Sequence, residues 1–281
     1  LAPTLAICDA LSKAVESRDA KRVACNVAKL HQIGVSILFG VGDTPDKKNS
    51  KWSLAAIGQG GLALPDRDYY LSTEPDRKLI REKYVAHVAA TLKLANREIY
   101  DSDENASLAA ENVSSFETKL AQSHLTPAER RDAERTYNKF ETFETLPGSG
   151  KEKSNTENDE GGWDWTEYFS ALGKSDPGAI NVTWPVALAT ATNLLCGTGD
   201  DVADASTIRA YSTFHSVCRA SDYLDDAFVD LDFNFFGKEL DGQKELKPRW
   251  KRVVRHADGL IGELVGKAYV EKHFPESAKK S

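Results

Sequence analysis

Methionine is missing from all 281 residues, and the chain opens at Leu1, which points to a mature or trimmed chain whose targeting segment lies outside the sequence. No apolar run approaches the ~20 residues that a membrane-spanning helix needs. The opening stretch, LAPTLAICDALSKAVES, is interrupted by Asp9, Lys13 and Glu16. Positive charge is also scarce: 36 Lys and Arg stand against 43 Asp and Glu, and no basic stretch is dense enough to neutralise a run of phosphates. Nucleic acid is therefore excluded as a partner, as is a membrane span in this segment.

Catalytic signatures are missing as well. A zinc peptidase of the HExxH type needs two His at i and i+4 on one helix face, with a Glu between them as general base. The six His open the words HQIGV, HVAAT, HLTPA, HSVCR, HADGL and HFPES, so no such pair exists, and the chain alone is expected to bind no stoichiometric zinc and cleave no peptide. There is no Gly-x-Ser-x-Gly elbow, and no Cys has a nucleophile context. GSGK, Gly148 to Lys151, lacks the earlier Gly and the following Ser or Thr of a phosphate loop. Asp230, Asp232 and Asn234 imitate the start of a calcium loop, but Phe235 stands at its glycine position and Asp241 at its final Glu. Asp222, Asp225, Asp226 and Asp230 suggest a magnesium-binding helix with no second helix to face it, and a solvated acidic face is the expected reading. His215 and Cys218, one helical turn apart, are expected to pack rather than share a metal.

Only four Cys are present, as two near pairs, Cys8 with Cys25 and Cys196 with Cys218. Local pairing is the expected arrangement, each bridge stapling neighbouring helices; four buried free thiols are the alternative. Asn105-Ala-Ser, Asn112-Val-Ser and Asn181-Val-Thr fit the glycosylation triplet and favour an oxidising, extracellular or lumenal compartment.

The dominant period is helical, so the expected fold is mainly α, a multi-helix bundle-like lobe. Residues 2–17 and 20–33 form a helical hairpin, with Leu5, Cys8, Leu11 and Val15, then Val23, Val27 and Leu30, on the apolar faces. A small β-hairpin is expected within residues 35–59, from VSILFGVGD and KWSLAAIGQ around a polar turn. A helix from Pro75 carries Ile80, Tyr84, Val88, Leu92, Ala95 and Ile99 on one stripe, and another runs from Glu104 to about Ser123. Residues 147–162 hold no apolar side chain and read as a flexible surface loop. Beyond it come a short helix around WDWTEYFSAL, a strand at AINVTW, a helix from Pro185 and another from about Asp204 to Leu224. Last, a long amphipathic helix runs from Pro248 to the break at Pro275, ~39 Å of apolar stripe expected to serve as a central strut.

One order of words goes beyond composition. GQGGLALPDRDYYL follows the expected hairpin, then come RRDAERTYNKF, WTEYF, NVTWP, FFGKELDGQKELKPRWKRVV and VGKAYVEKHFPESAK. This order resembles the amino-terminal, non-catalytic region of the neprilysin and endothelin-converting-enzyme family of zinc metallopeptidases. The residues that carry the resemblance are Gly61, Leu64, Pro65, Arg67, Asp68, Tyr69, Tyr70, Arg249, Trp250, Gly266 and Tyr269. A departure is Val253, where extracellular members often have Cys. The resemblance implies that residues 1–281 form a helical lobe that closes over a separate catalytic lobe and encloses a cavity admitting oligopeptides. It implies no catalytic or metal-binding residue in this chain, with zinc and the HExxH helix in a carboxy-terminal lobe beyond Ser281 as its partner. The alternative is a free-standing pseudo-peptidase domain that binds another protein chain in an assembly. Exposed apolar surface is expected near residues 265–281, with Tyr269, Phe274 and Pro275 more exposed than their chemistry suggests.

Overall fold

The computed structural model describes residues 1–149 and 162–279, so most of the expected surface loop at 147–162 lies outside the described residues. The chain divides into two units, Leu1–Phe235 and Phe236–Ser281.

In the first unit, α1 (Ala2–Glu16) and α2 (Ala20–Gln32) form the expected hairpin. Asp19 caps α2 by accepting the Arg22 N–H at 3.0 Å, and Gly34, at φ +80°, ends it in the left-handed region that glycine tolerates. Cys8, Leu11, Val15, Val23, Val27 and Leu30 are buried, as their spacing requires.

The β-hairpin lies within the expected residues 35–59, but its first strand begins four residues later than expected. β1 is Phe39–Asp46 and β2 is Asn49–Gln59, in antiparallel register from Phe39↔Gln59 to Thr44↔Leu54. Val35 to Leu38 do not join the ladder because their backbone groups are engaged elsewhere. The Ile37 carbonyl lies 2.9 Å from His31 Nε2, and the Leu38 N–H donates to the Tyr211 hydroxyl at 2.9 Å. The polar turn is also tighter than expected, with Asp46 paired to Asn49.

After α3 (Asp68–Leu71) come α4 (Pro75–Ala95) and α5 (Asp103–Ser123), the latter capped by Ser102. Tyr84, Val88 and Leu92 are buried as the stripe requires, but Ile99 lies beyond the end of α4 and is exposed. β3 (Lys139–Phe140), α6 (Trp165–Ala171), β4 (Ile180–Val182), α7 (Pro185–Cys196), α8 (Ala205–Ala220) and α9 (Asp226–Asp232) complete the unit. β4 pairs parallel to β2 and antiparallel to β3, so the hairpin becomes a four-stranded mixed sheet in the order β1-β2-β4-β3. Where α2, β1 and α6 meet, Phe39, Trp165 and Tyr168 pack with ring centroids 5.5–5.7 Å apart.

The second unit holds α10 (Arg249–His273) and α11 (Glu276–Lys279). The expected strut is not a straight, sheathed helix. Ile261, at φ −130° and ψ 26°, breaks α10 into two helical stretches, and none of its residues is buried. Among the described residues no helix is long and apolar enough to cross a membrane.

Candidate functional site

The words Gly58 to Leu71 fold around buried hydrogen bonds. Gly61, at φ +79°, passes so close to the entry of β1 that an added Cβ would sit 2.5 Å from the Leu38 nitrogen and 2.6 Å from the Tyr211 hydroxyl. That hydroxyl donates to the Gly61 carbonyl at 2.8 Å, tying α8 to the motif. Leu64 is buried and its N–H donates to the Tyr70 hydroxyl at 3.0 Å. Arg67 donates to the His124 carbonyl at 2.6 Å, which anchors the motif to the end of α5. The Arg77 guanidinium lies 3.7 Å from the Tyr69 ring centroid, and Arg81 donates to the Tyr69 carbonyl at 2.8 Å. Pro65 and Asp68 are exposed. The four remaining motif residues, Arg249, Trp250, Gly266 and Tyr269, belong to α10 in the second unit, where Trp250 is 64% and Tyr269 57% exposed.

The motif leads to a centre that the sequence did not reveal. Glu117 replaces an apolar residue in the buried stripe of α5 between Val113 and Leu120, and it is wholly buried. Its Oε2 accepts from the Tyr70 hydroxyl at 2.9 Å and from the Tyr84 hydroxyl at 2.5 Å, while His215 Nε2 lies 2.7 Å from Oε1. Burial, followed by the charge of Glu117, pushes both phenols well above their usual range, so they remain donors. A lone acid on an apolar helix face was the available signal. The centre locks α3, α4, α5 and α8 together, and with every polar partner occupied its role is structural.

A second, partly buried cluster lies beside it. His87 on α4, Cys218 in the last turn of α8 and Asp232 at the end of α9 bring donor atoms within 4.8 Å of one another. His87 stacks on Phe235 with centroids 4.9 Å apart at 14°. Burial lowers the His87 pKa to about 4. Burial, aided by the charge of Asp222, raises Asp232 to about 6. Burial also holds the Cys218 thiol well above its usual range, with further contributions from Asp232 and Glu117. His215 lies against Glu117, whereas Cys218 lies against His87 and Asp232. Around the cluster Asp225 caps α9, and Asp222, Asp226 and Asp230 are exposed.

The expected disulfides are not formed: Cys8, Cys25, Cys196 and Cys218 are all free. Cys8 turns from α2 toward α8, its Sγ 3.4 Å from the Ser216 hydroxyl, and Cys218 faces His87 and Asp232 rather than Cys196. Cys196, pushed up to about 12 by burial, lines a groove of about 720 Å³ with Ser12, Arg18, Asp204 and Arg209. The Asn181 triplet is likewise ruled out as a glycan acceptor in the folded chain. Asn181 is 2% exposed, accepts from the Asn138 N–H at 2.8 Å and donates to the Thr136 carbonyl at 3.2 Å. Asn105 is exposed and Asn112 half-buried on α5.

A family model described as peptidase family M13, for its amino-terminal part, matches residues 1–281. Endothelin-converting enzyme 1 of Cavia porcellus is 28% identical over 248 residues, which is 87% of this chain and 30% of that protein. Neprilysin-11 of Caenorhabditis elegans is 27% identical over 256 residues, covering 88% of this chain and 28% of that protein. The chain therefore spans under a third of the length of these curated relatives. Among solved structures, the Mycobacterium tuberculosis zinc metalloprotease ZMP1 in complex with inhibitor superposes with a TM-score of 0.79 at 29% identity, covering 96% of this chain and 38% of that one. PEPO from Lactobacillus rhamnosis, at 15% identity and a TM-score of 0.67, shares the fold.

Proposed function

Since the chain belongs to peptidase family M13, whose amino-terminal model it matches over residues 1–281, we propose that it is the non-catalytic lobe of a neprilysin-like zinc metalloendopeptidase, enclosing oligopeptide substrates against a catalytic lobe. The observation that carries the reading is the superposition on ZMP1, in which 96% of this chain accounts for 38% of a zinc metalloprotease. The six His contain no pair at i and i+4 to hold a catalytic zinc with a Glu between them, so the family's peptidase site does not fit these residues. No step of peptide hydrolysis is assigned to them.

The role of this chain is then shape and exclusion. Helices tied through Glu117, Tyr211 and the Gly61 turn give a wall stiff enough to decide which substrates reach the zinc. The partner of that wall is the catalytic lobe, and the catalytic zinc belongs to it. The apolar face of α10 supports the same reading, since Trp250, Leu260, Leu264 and Tyr269 are 57–78% exposed, and Phe274 just beyond it is 44% exposed. So much exposed apolar surface on one helix marks an interaction site, and the occupant proposed is the catalytic lobe. An extracellular or lumenal location belongs to the same proposal, supported by the relatives and by the accessible triplet at Asn105.

The coding sequence downstream of codon 281 tests this reading. An in-frame HExxH segment is the expected finding. A stop codon in its place would overturn the reading and leave a free-standing binding domain.

A further inference from the structure

Three donors of different chemistry converge at one partly buried point from three separate elements. His87 projects from the middle of α4, Cys218 from the last turn of α8 and Asp232 from the end of α9. All belong to the first unit, and their ligand atoms lie within 4.8 Å of one another. We propose that His87, Cys218 and Asp232 form a binding site for a thiophilic divalent cation, zinc in the first place, which ties α9 to α4 and α8. This inference does not depend on the peptidase reading.

The donor set argues for the class of ion. Thiolate, carboxylate and imidazole together carry two negative charges, which balance one dication. A thiolate with an imidazole favours zinc or cobalt over magnesium or calcium, which prefer all-oxygen shells. Three protein ligands with a fourth position for water is an established zinc arrangement. Donors at ~2.0–2.3 Å from a tetrahedral zinc lie roughly 3.3–3.8 Å apart. The present spread of up to 4.8 Å is therefore closed by a movement of roughly 1 Å. Asp232 can make that movement, because it ends a seven-residue helix just where the winding changes to the π form of Phe233–Leu240.

His87 is buried while Cys218 and Asp232 are half-buried, so the point where the three donors meet is partly shielded from water. His87 stacks on Phe235, which restrains its ring while a ring nitrogen lies within 4.8 Å of the other two donors. Absence of paired His along one helix suggested no stoichiometric zinc. Spacing along one helix detects only ligands close in sequence, whereas His87, Cys218 and Asp232 are brought together only by the packing of α4, α8 and α9.

Cobalt titration of the chelator-stripped 281-residue chain tests the proposal, followed by displacement with zinc. The expected result is one equivalent of cobalt with a thiolate-to-cobalt charge-transfer band, removed by one equivalent of zinc. Cys218→Ser should abolish the band, and Asp232→Asn and His87→Gln should each weaken zinc binding at least ~10-fold, whereas Cys25→Ser should change neither. Circular dichroism of each variant separates ligand loss from misfolding. Asp232→Asn keeps the side-chain shape on a short helix near the surface and retains the test if Cys218→Ser does not fold. Cobalt binding without the charge-transfer band, zinc affinity unchanged in Asp232→Asn, or no binding at all would overturn the proposal.

Discussion

Glu117 is wholly buried and holds Tyr70, Tyr84 and His215 through its two oxygens, and removing it leaves two phenols and an imidazole without that partner. Breaking such a buried polar arrangement from one side costs about 3–5 kcal/mol, because each orphaned group keeps its desolvation penalty. Glu117→Ala should therefore lower the urea midpoint by that equivalent, whereas Tyr84→Phe, which removes one donor, should cost about 1–2 kcal/mol. An unchanged midpoint for Glu117→Ala would contradict the account of the centre. His31 and His124 add a pH dependence. Burial lowers each from 6.5 to about 4, with the charges of Arg130 and Arg67 contributing at His124. Because the folded pKa lies below the unfolded one, their contribution to stability is complete above about 6.5 and is lost as pH falls towards about 4. Thermal midpoints at pH 7, 5.5 and 4.5 should fall in that order, and His31→Gln should flatten the fall. The thiols provide a third check. A thiol assay on the denatured, unreduced protein should count all four, and a count of two or none would restore a disulfide.

At the scale of elements, the Gly61 turn separates strain from collision. Gly61 and Gly173 both have φ near +80°, but a Cβ at Gly61 would meet Leu38 and Tyr211, whereas at Gly173 nothing lies within 4 Å. Gly173→Ala should cost the ~1–2 kcal/mol of left-handed backbone strain. Gly61→Ala should cost clearly more in parallel urea titrations, and equal losses would show that the close approach has no energetic weight. The helices α1, α2, α4, α5 and α8 were legible because their apolar spacing matches their burial. The β-hairpin was misplaced by four residues at its start because the Ile37 carbonyl and Leu38 N–H are taken by His31 and Tyr211, partners distant in space that no local period encodes. The same limit hid β3, two residues long, whose pairing depends on β4. The apolar stripe of α10 predicted a helix correctly, but a stripe does not specify which surface covers it.

For the whole molecule, the order of motif words carried the family, while composition and period carried only a mainly helical fold. The buried centres were not legible. Glu117 reads as one acid among 43, and His87, Cys218 and Asp232 share no spacing, since tertiary packing alone joins them. Within the motif, Gly61, Leu64, Tyr69 and Tyr70 are tied to neighbours by hydrogen bonds or ring contacts, which accords with the proposed lobe that shapes and excludes. The most direct measurement of that claim is hydrolysis of an oligopeptide by the purified 281-residue chain with zinc supplied, with and without chelator. The account predicts no chelator-sensitive cleavage even when zinc is bound at His87, Cys218 and Asp232, because the chain lacks the paired His and intervening Glu of the family's peptidase site. Sustained cleavage abolished by chelator would contradict it.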